Sequence, residues 1–344
     1  MKTFDGKIAF ITGGASGAGL GQAKVFAKAG MKVVITDVRQ DALHRAVGEI
    51  IKYAGCEVAD VFPLCFDVTD RKAFANAAEL VEKVFGGPPH LLILTAGVNS
   101  FGPVEASTFD DFDWVVGVCL DHVVNGLITF VPSMIKAYGG SDGIAKEEFH
   151  VVATSSGAAF RQGAGTGPYS AAKAAVNNLM YSYGTALAPY GAGATVLCPG
   201  NINSNIGDAE RLRPEHLQNT GYHVSDGTMA HLRSVHAGGI DPVELAEILK
   251  EGIENGRIVV LPTHSPDDWA KTLRERHEVI EEYTLTSQQR LKKEEERKSA
   301  ILAGGGPRVG PPPGSMKVPD GAEGVGQARK DIDYINPERI PKWG

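Results

Sequence analysis

The sequence is poor in cysteine and lacks both a long basic stretch and a long apolar run. None of its four cysteines forms a Cys-x-x-Cys pair, so we interpret them as reduced, mostly buried thiols of a cytoplasmic protein. A net charge of −7 without a basic stripe argues against a nucleic-acid partner. Because we find no signal peptide and no apolar run of about 18 residues, we expect no membrane span.

Glycine, by contrast, is abundant, with 42 copies in 344 residues, and 43% of the residues are hydrophobic. This composition is typical of a globular protein with many tight backbone turns. Short apolar strands alternate with helices, which indicates parallel strands covered on both faces and an α/β fold with a doubly wound parallel sheet. Strands are predicted at 7–12, 32–36, 57–66, 91–94, 149–154, 194–197 and 257–261, and helices at 20–29, 40–54, 70–85, 110–137, 168–189 and 242–254.

We expect a single domain over residues 1–265, followed by two segments of different composition. Residues 266–302 are rich in Glu, Lys, Arg and Gln and predict a charged helical extension. Residues 303–344 begin with many Gly and Pro and end with apolar residues such as Ile335 and Trp343. This last segment is either a disordered tail or a docking arm that packs on the same subunit or on a neighbour.

A glycine-rich turn follows the first predicted strand and opens the first predicted helix. Glycines allow the backbone to turn tightly and to approach a phosphate, while the helix N-terminus offers free N–H groups and the positive end of its dipole. In this strand–turn–helix context we predict binding of a dinucleotide pyrophosphate, in preference to a purely structural turn. The residues assigned to this contact are Gly13, Ser16, Gly17, Ala18 and Gly19.

Two strands end on aspartates that suit a dinucleotide. A carboxylate at Asp37 accepts hydrogen bonds from the adenosine ribose and repels the additional phosphate of NADP, which favours NAD as the cofactor. Arg39 keeps NADP as the alternative, and an ordinary turn residue is the other interpretation of Asp37. Asp67 and Val68 are similarly placed near the adenine, although Asp67 is equally suited to capping the next helix.

A tyrosine and a lysine four residues apart lie at the start of the helix at 168–189. Positions i and i+4 share a helical face, so the phenol of Tyr169 and the ammonium of Lys173 point the same way. A free tyrosine has a pKa of about 10, and a neighbouring ammonium favours the phenolate and lowers that pKa. The pair therefore predicts general acid–base catalysis by Tyr169.

Ser156 follows a predicted strand upstream of this helix. In a doubly wound sheet, strand ends and helix starts face the same edge, where ligands bind. We therefore expect Ser156 to hydrogen-bond a substrate oxygen beside Tyr169. Its neighbour Ser155 is the alternative, and a cap or turn role is the other interpretation of such a serine.

Taken together, these motifs resemble the classical short-chain dehydrogenase/reductase (SDR) family over about residues 5–262. The resemblance rests on TGGASGAG, Asp37, Ser156, YSAAK and Cys198-Pro199-Gly200. It implies a Rossmann fold, hydride transfer between cofactor C4 and a carbinol carbon, and a lysine that also binds the nicotinamide ribose. It further implies a substrate lid at about 203–240 and cofactor contacts from Ala96, Gly97, Pro199, Gly200, Ile202 and Ser204.

The chain departs from the family pattern at two points near the active site. Where the family has Asn-Asn-Ala-Gly, residues 94–97 are Leu-Thr-Ala-Gly, and Thr95 still offers a hydroxyl. The family's active-site asparagine, whose main-chain carbonyl holds a relay water beside the lysine, aligns with Cys119. Cysteine keeps the carbonyl but loses the amide that shapes the helix. His122 either assists proton transfer or is a histidine of the helix surface or pocket wall, and we predict an active enzyme with a modified relay.

The lid segment and the long helices indicate the substrate and the assembly. Apolar lid residues, with Phe160 as an aromatic wall, favour a fairly large, partly apolar or aromatic secondary alcohol or ketone as the small-molecule substrate. The spacing of the lid histidines fits no standard zinc pattern, so no metal is expected. Small residues in the 171–187 helix, with the pairing common in the family, predict a homodimer or homotetramer. The lid residues are Leu212, His216, Leu217, Tyr222, His223, Met229, His231, Leu232 and His236.

The sequence thus predicts an NAD(H)-dependent short-chain alcohol dehydrogenase or ketoreductase. One alternative is an NADPH-dependent ketoreductase of a biosynthetic pathway. Another is a non-catalytic dinucleotide-binding sensor, in which Cys119 reflects lost chemistry and the tail binds a partner protein. The presence of Ser156, Tyr169 and Lys173 argues against the sensor.

Overall fold

Parallel strands pair into one twisted sheet at the centre of the molecule. The computed structural model describes residues 1–160, 165–218 and 224–262, with a few isolated positions between 271 and 296. In this part the strands are β1 (Ile8–Thr12), β2 (Lys32–Asp37), β3 (Val61–Cys65), β4 (Leu91–Leu94), β5 (His150–Thr154), β6 (Gly193–Leu197) and β7 (Val259–Val260). They lie in the order β3-β2-β1-β4-β5-β6-β7, and every pairing is parallel.

Helices connect the strands and cover the sheet. They are α1 (Gly17–Lys28), α2 (Gln40–Ala54), α3 (Arg71–Phe85), α4 (Phe109–Val116), α5 (His122–Tyr138), α6 (Gly167–Leu187), α7 (Asp226–Ala237) and α8 (Pro242–Glu254). A π-helical turn, Gly117–Asp121, joins α4 to α5 without a break in the chain direction. Short 3-10 helices include Val58–Asp60, Gly157–Phe160 and Asn205–Leu212.

Alternate residues of each central strand enter two separate cores. Phe10 of β1 contacts Phe74 of α3 and Phe130 of α5, with ring centroids 6.4 and 4.6 Å apart. The next residue, Ile11, enters the core formed with α1, α2 and α8, which includes Phe26. The two cores explain why successive residues in the middle of the central strands are apolar, since each strand is buried on both faces.

The predicted fold class is confirmed, with differences at the element ends. The first helix begins at Gly17 rather than at 20, because the glycine turn is tighter than predicted. The third strand is shorter than predicted because residues 58–60 form a 3-10 helix with a capping box. The lid helix α7 was not predicted, since its apolar positions are too few to show a helical period. The predictions for 303–344, for Tyr222 and for His223 lie outside the described residues, as do almost all of 266–302.

The long helical stretch Phe109–Tyr138 is apolar enough, by length and composition, to cross a membrane. However, 56% of its most apolar window is buried inside the fold. Phe130, Val131 and Met134 belong to the core beneath the sheet. The stretch is therefore accounted for as a core helix.

A buried histidine lies at the start of β5. His150 Nε2 is 2.8 Å from Thr195 Oγ1, and this hydroxyl donates its hydrogen to the Arg257 carbonyl at 2.7 Å. Nε2 must therefore carry the ring proton and donate to Thr195. Nδ1 is buried, has no hydrogen-bond partner among the described residues, and faces Gly193, where an added Cβ would lie only 2.7 Å from it. Burial lowers the pKa of His150 to about 3.

We expect His150 to lower the free energy of unfolding in mild acid. Between pH 6.5 and 3 the unfolded chain binds a proton on this histidine that the folded chain does not bind. The free energy of unfolding therefore starts to fall near pH 6.5 and decreases further as the pH is lowered. His150→Gln should reduce the slope of the unfolding free energy against pH by up to about 1.4 kcal/mol per pH unit. Urea denaturation at several pH values measures this slope.

The matched control is His44→Gln, because His44 is exposed on α2. This variant should keep the slope of the natural chain. Equal slopes for the natural chain and for His150→Gln would contradict the assignment of His150 as a neutral buried ring.

Candidate active site

The glycine turn between β1 and α1 forms an anion cradle. Gly13 and Gly17 have φ angles of +66° and +51°, which residues other than glycine rarely adopt. A Cβ at Gly13 would lie 2.9 Å from the Ala96 backbone, and one at Gly17 would lie 2.9 Å from Ser204. Because the first α1 hydrogen bond runs from the Leu20 N–H to the Ser16 carbonyl, the preceding N–H groups have no partner within the helix. The turn therefore has the geometry to receive a phosphate.

A cavity of about 590 Å³ lies at the carboxyl ends of the strands, next to this cradle. Sheet order places the loops after β2 and β3 on one side of β1, and those after β4, β5 and β6 on the other. All the cofactor residues predicted from the sequence line this cavity, and so do Ser156, Tyr169 and Lys173. The cofactor residues are Gly13, Ser16, Gly17, Ala18, Gly19, Asp37, Asp67, Val68, Ala96, Gly97, Lys173, Pro199, Gly200, Ile202 and Ser204.

Asp37 is held by Arg39 on the β2 side of the cavity. Arg39 Nε and Nη2 donate to the two carboxylate oxygens of Asp37 at 2.9 and 3.0 Å, and this hydrogen bonding raises the pKa of Arg39. Arg39 Nη2 also donates to Ser16 Oγ at 2.9 Å, which ties the aspartate to the glycine turn. The carboxylate and the guanidinium thus stand together on the cavity lining.

The loop after β3 is ordered by local hydrogen bonds. Asp67 Oδ1 accepts from the backbone N–H and the hydroxyl of Thr69, both at 2.8 Å. The N-cap of α3 is Asp70, whose side chain accepts from two backbone N–H groups, so Asp67 does not cap that helix. Asn125 Nδ2 of α5 donates to the Val68 carbonyl at 3.3 Å, which ties this loop to the helix.

The loop after β5 and the start of α6 bring together a serine, a tyrosine and a lysine. Ser156 lies next to Tyr169 and lowers its pKa, and the Ser156 Oγ accepts the Ala158 N–H at 3.1 Å. Lys173 Nζ lies 5.6 Å from the centroid of the Tyr169 ring and donates to the Thr154 carbonyl at 2.7 Å. Ser155 has a different role, since its buried hydroxyl donates to the Lys173 carbonyl at 2.9 Å.

The electrostatics of this group differ from the sequence-based expectation. Burial raises the pKa of Tyr169, the nearby Cys119 raises it further, and the hydrogen bond from Ser156 lowers it. Burial also lowers the pKa of Lys173, which is only 2% exposed. The low dielectric of the site is therefore the largest influence on the pKa of the phenol.

A buried polar network includes Thr154, whose carbonyl accepts the hydrogen bond from Lys173 Nζ. The Thr95 hydroxyl donates to Gln22 Oε1 at 2.7 Å and lies 2.7 Å from Thr154 Oγ1. Since its hydrogen is used by Gln22, Thr95 accepts from Thr154. Thr95 thereby ties α1 and β5 to the loop after β4, at the position where the family has an asparagine.

The structure places Cys119 and His122 behind the cavity wall. Cys119 is fully buried in the π-turn, and its thiol donates to the Val98 carbonyl at 3.1 Å. His122 is also fully buried, so it belongs neither to the helix surface nor to the pocket wall as one interpretation had it. Burial, and next the charge of Lys173, lower the pKa of His122 to about 3, so its ring is neutral at ordinary pH.

Aromatic side chains line the cavity, although not the one that the sequence indicated. Phe160 packs against the main core and does not line the cavity. Trp114 of α4 and Phe101 line it instead, and nothing in their spacing distinguished them from core residues. From the lid, Leu212, Leu232 and His236 reach the cavity, whereas Leu217 and Met229 pack behind it, and His216 and His231 are exposed.

Arg213 fixes the first part of the lid to α4. Its guanidinium lies 4.5 Å from the Trp114 ring centroid and donates to Asp111 Oδ1 at 2.7 Å. It also donates to Glu210 Oε1 at 2.6 Å. Arg213 is only 3% exposed, so these contacts are shielded from water. They hold the lid against the tryptophan that lines the cavity.

Comparison with known proteins agrees with this geometry. The family model described as short chain dehydrogenase matches residues 7–214. The chain belongs to this family. The C alpha-dehydrogenase of Sphingobium sp. (strain NBRC 103272 / SYK-6) is 48% identical over 262 residues, which cover 76% of this chain and 82% of that protein.

Solved structures of other family members are similar to this short-chain dehydrogenase. The crystal structure of the LigD apo form from Sphingobium sp. strain SYK-6 has a TM-score of 0.63 at 40% identity, covering 80% of this chain and 97% of that one. A short-chain dehydrogenase/reductase from Burkholderia phymatum in complex with NAD has a TM-score of 0.73 at 34% identity, covering 82% and 96%. The fold therefore supports a nicotinamide dinucleotide as the cofactor and an oxidoreductase as the class.

We expect Arg213 to be the main anchor of the lid in this short-chain dehydrogenase. Arg213→Met leaves the buried Asp111 carboxylate without its cation, and breaking a buried pair in this way costs about 3 kcal/mol. Limited proteolysis should then cut within residues 203–218 faster than in the natural chain. Arg211→Met is the control, because the Arg211 side chain is 64% exposed. Equal cleavage rates for the two variants would contradict the anchor.

Proposed function

We propose that this enzyme transfers a hydride between NAD(H) and a secondary alcohol or its ketone, with Tyr169 as the general acid and base. The observation that carries the proposal is the position of Tyr169. Ser156 lies next to its hydroxyl, Lys173 lies beside its ring, and all three side chains line the cavity that also reaches Asp37. A proton donor and a dinucleotide cradle thus share one enclosed space.

In the proposed reaction each of these side chains has one task. Ser156 Oγ accepts the Ala158 N–H, and its hydroxyl, which is directed toward Tyr169, would orient a substrate oxygen beside that tyrosine. Tyr169 removes the alcohol proton during oxidation and returns it during reduction. Lys173 uses one N–H on the Thr154 carbonyl and keeps further donors for a ribose hydroxyl.

The residues that line the cavity suit a dinucleotide along its whole length. The glycine turn would hold the pyrophosphate, Asp37 the adenosine ribose, and Pro199, Gly200, Ile202 and Ser204 the nicotinamide end. When bound, NAD supplies the hydride acceptor and a positively charged ring that favours the phenolate of Tyr169. This charge would offset the effect of burial on the Tyr169 pKa.

We propose a fairly large, partly apolar or aromatic substrate. Trp114 and Phe101 give the cavity aromatic walls, and Val118, Ile206 and Leu212 add apolar surface. Arg213 supports the far side of the Trp114 ring, which fixes that wall in place. The name of the C alpha-dehydrogenase relative supports alcohol oxidation as one direction of the reaction.

A second candidate, an NADPH-dependent ketoreductase, is favoured by Arg39. Its guanidinium lies at the cradle on Ser16 Oγ, where a cation would attract an additional phosphate. However, both oxygens of Asp37 already engage that guanidinium, and the carboxylate repels phosphate. We therefore propose NAD as the principal cofactor.

We further propose a cytoplasmic homodimer or homotetramer whose dehydrogenase domain covers residues 1–265. The four cysteines are free thiols, which suits a reducing compartment. Phe109 and Ile128, on α4 and α5, are 89% and 65% exposed. Apolar side chains this exposed suit a surface that is covered by a second subunit.

We expect Tyr169→Phe to lower kcat at least about 100-fold, because it removes the hydroxyl that carries the proton. The dissociation constant for NADH should change little, since the ring and its packing remain. A screen of secondary alcohols with NAD, read by the absorbance of NADH, provides the substrate and the rates. Tyr183→Phe, on the same helix but away from the cavity, should keep the natural rates. Undiminished turnover by Tyr169→Phe would refute the proposed mechanism.

We expect Asp37→Ala to shift the cofactor preference toward NADP. The variant loses hydrogen bonds from a charged acceptor to the ribose, which should lower kcat/KM for NAD about 10- to 100-fold. It also frees Arg39 for a phosphate, so kcat/KM for NADP should rise. Asp41→Ala, at an exposed aspartate of α2, is the control. If the natural enzyme already prefers NADP, the assignment of NAD is wrong.

A further inference from the structure

The helical bond pattern changes at His122, the first residue of α5. In a regular α-helix the His122 N–H would bond the Val118 carbonyl, four residues earlier. Here that N–H bonds the Gly117 carbonyl, five residues earlier, which closes the π-turn Gly117–Asp121. The Val118 carbonyl instead meets the imidazole Nδ1 of His122. The side chain of His122 thus replaces the backbone partner that the π-turn removes.

The second ring nitrogen of His122 connects the π-turn to the end of β1. A carbonyl oxygen only accepts, so Nδ1 carries the proton and Nε2 has a lone pair. Nε2 lies 3.4 Å from Thr12 Oγ1. That oxygen accepts the N–H groups of Thr95 and Ala96 at 2.8 and 3.1 Å, so its own hydrogen is available for Nε2. Through Thr12, the ring therefore connects the π-turn to the loop after β4, whose residues Thr95 and Ala96 line the cavity.

The π-turn also holds residues that touch the proton-transfer site. Val118 lines the cavity, and Cys119 packs in one cluster with Val98 and Tyr169. A Cβ on Gly97 would lie 3.6 Å from Lys173 Nζ and 3.8 Å from Cys119 Sγ, so the thiol and the ammonium flank the same glycine. A π-turn contains one residue more than a turn of regular α-helix. If it reverted to regular α-helix, Val118 and Cys119 would rotate by roughly 100° relative to α5, away from these contacts.

We propose that His122 is a positioning residue. Its ring stabilises the π-turn and thereby places Val118 and Cys119 next to Tyr169 and Lys173. The ring itself is enclosed and does not touch the cavity, so it exchanges no proton with substrate. The catalytic part of this inference rests on the proposed function, whereas the structural part does not.

Three substitutions separate the two contacts of the ring. His122→Asn places an amide N–H close to the position of Nδ1 and keeps the bond to Val118. His122→Gln reaches toward Thr12 and loses the bond to Val118, and His122→Leu loses both. We expect kcat to fall about 10- to 100-fold in the Leu and Gln variants, as for a misplacement of the site by about 1 Å, and the Asn variant to restore most of it. The dissociation constant for NADH should change less than about threefold in all three variants, because the cradle is intact.

His150→Leu is the matched control, since it replaces another fully buried histidine whose pKa is lowered in the same way. It should lower the thermal stability and leave kcat unchanged, because His150 lies at the opposite edge of the sheet. If His122→Leu does not fold, the comparison of the Gln and Asn variants carries the test. Equal kcat in these two variants, or an equal loss of kcat in His150→Leu, would overturn the proposal.

Crystal structures of the variants give a readout that needs no activity. In His122→Leu or His122→Gln we expect the N–H of residue 122 to return to the Val118 carbonyl, and in His122→Asn to remain on Gly117. A natural enzyme that oxidises no alcohol would refute the proposed function while this structural comparison still tests His122. A π-turn that persists unchanged in the Leu and Gln variants would show that His122 does not hold it.

Discussion

The parallel pairing of β1 with β2 on one side and β4 on the other is the constraint on which the site depends. Thr12 pairs with Thr36, and Ile11 pairs with Ile93, so the three strands end at the same level. The loops that follow them must then converge at one edge. Thr12 links two of the converging loops, because its hydroxyl oxygen accepts hydrogen bonds from two backbone N–H groups of the loop after β4. The strand pairing and the Thr12 hydroxyl thus fix the positions of the glycine turn, of Asp37 and of the loop after β4.

Much of this arrangement could be predicted from the sequence because it follows from local patterns. Apolar strands that alternate with helices gave the order of the elements, and the glycine turn, Asp37 and the Tyr169–Lys173 spacing each depend on a few neighbouring residues. Their chemistry is visible in the sequence because glycine, aspartate and a tyrosine–lysine pair are seldom interchangeable there. The structure brings these residues to one cavity, as the topology of the sheet requires.

Features that depend on long-range packing could not be predicted in this way. Arg213 and Asp111 are 102 residues apart, and neither differs from an ordinary surface charge in the sequence. Trp114 has the spacing of a core residue, and its exposure to the cavity is decided by the lid that covers its other side. The π-turn gives no periodic signal, and His122 therefore seemed a wall or surface residue although it is fully buried.

The contact between His150 and Gly193 restricts how the start of β5 and the start of β6 can change over evolutionary time. A side chain at 193 would collide with the imidazole, whose Cε1 lies 2.6 Å from the position of an added Cβ. A smaller residue at 150 must therefore come first, and a larger residue at 193 can follow to fill the space. The two positions should vary as a pair among relatives, with glycine kept at 193 wherever a histidine occupies 150.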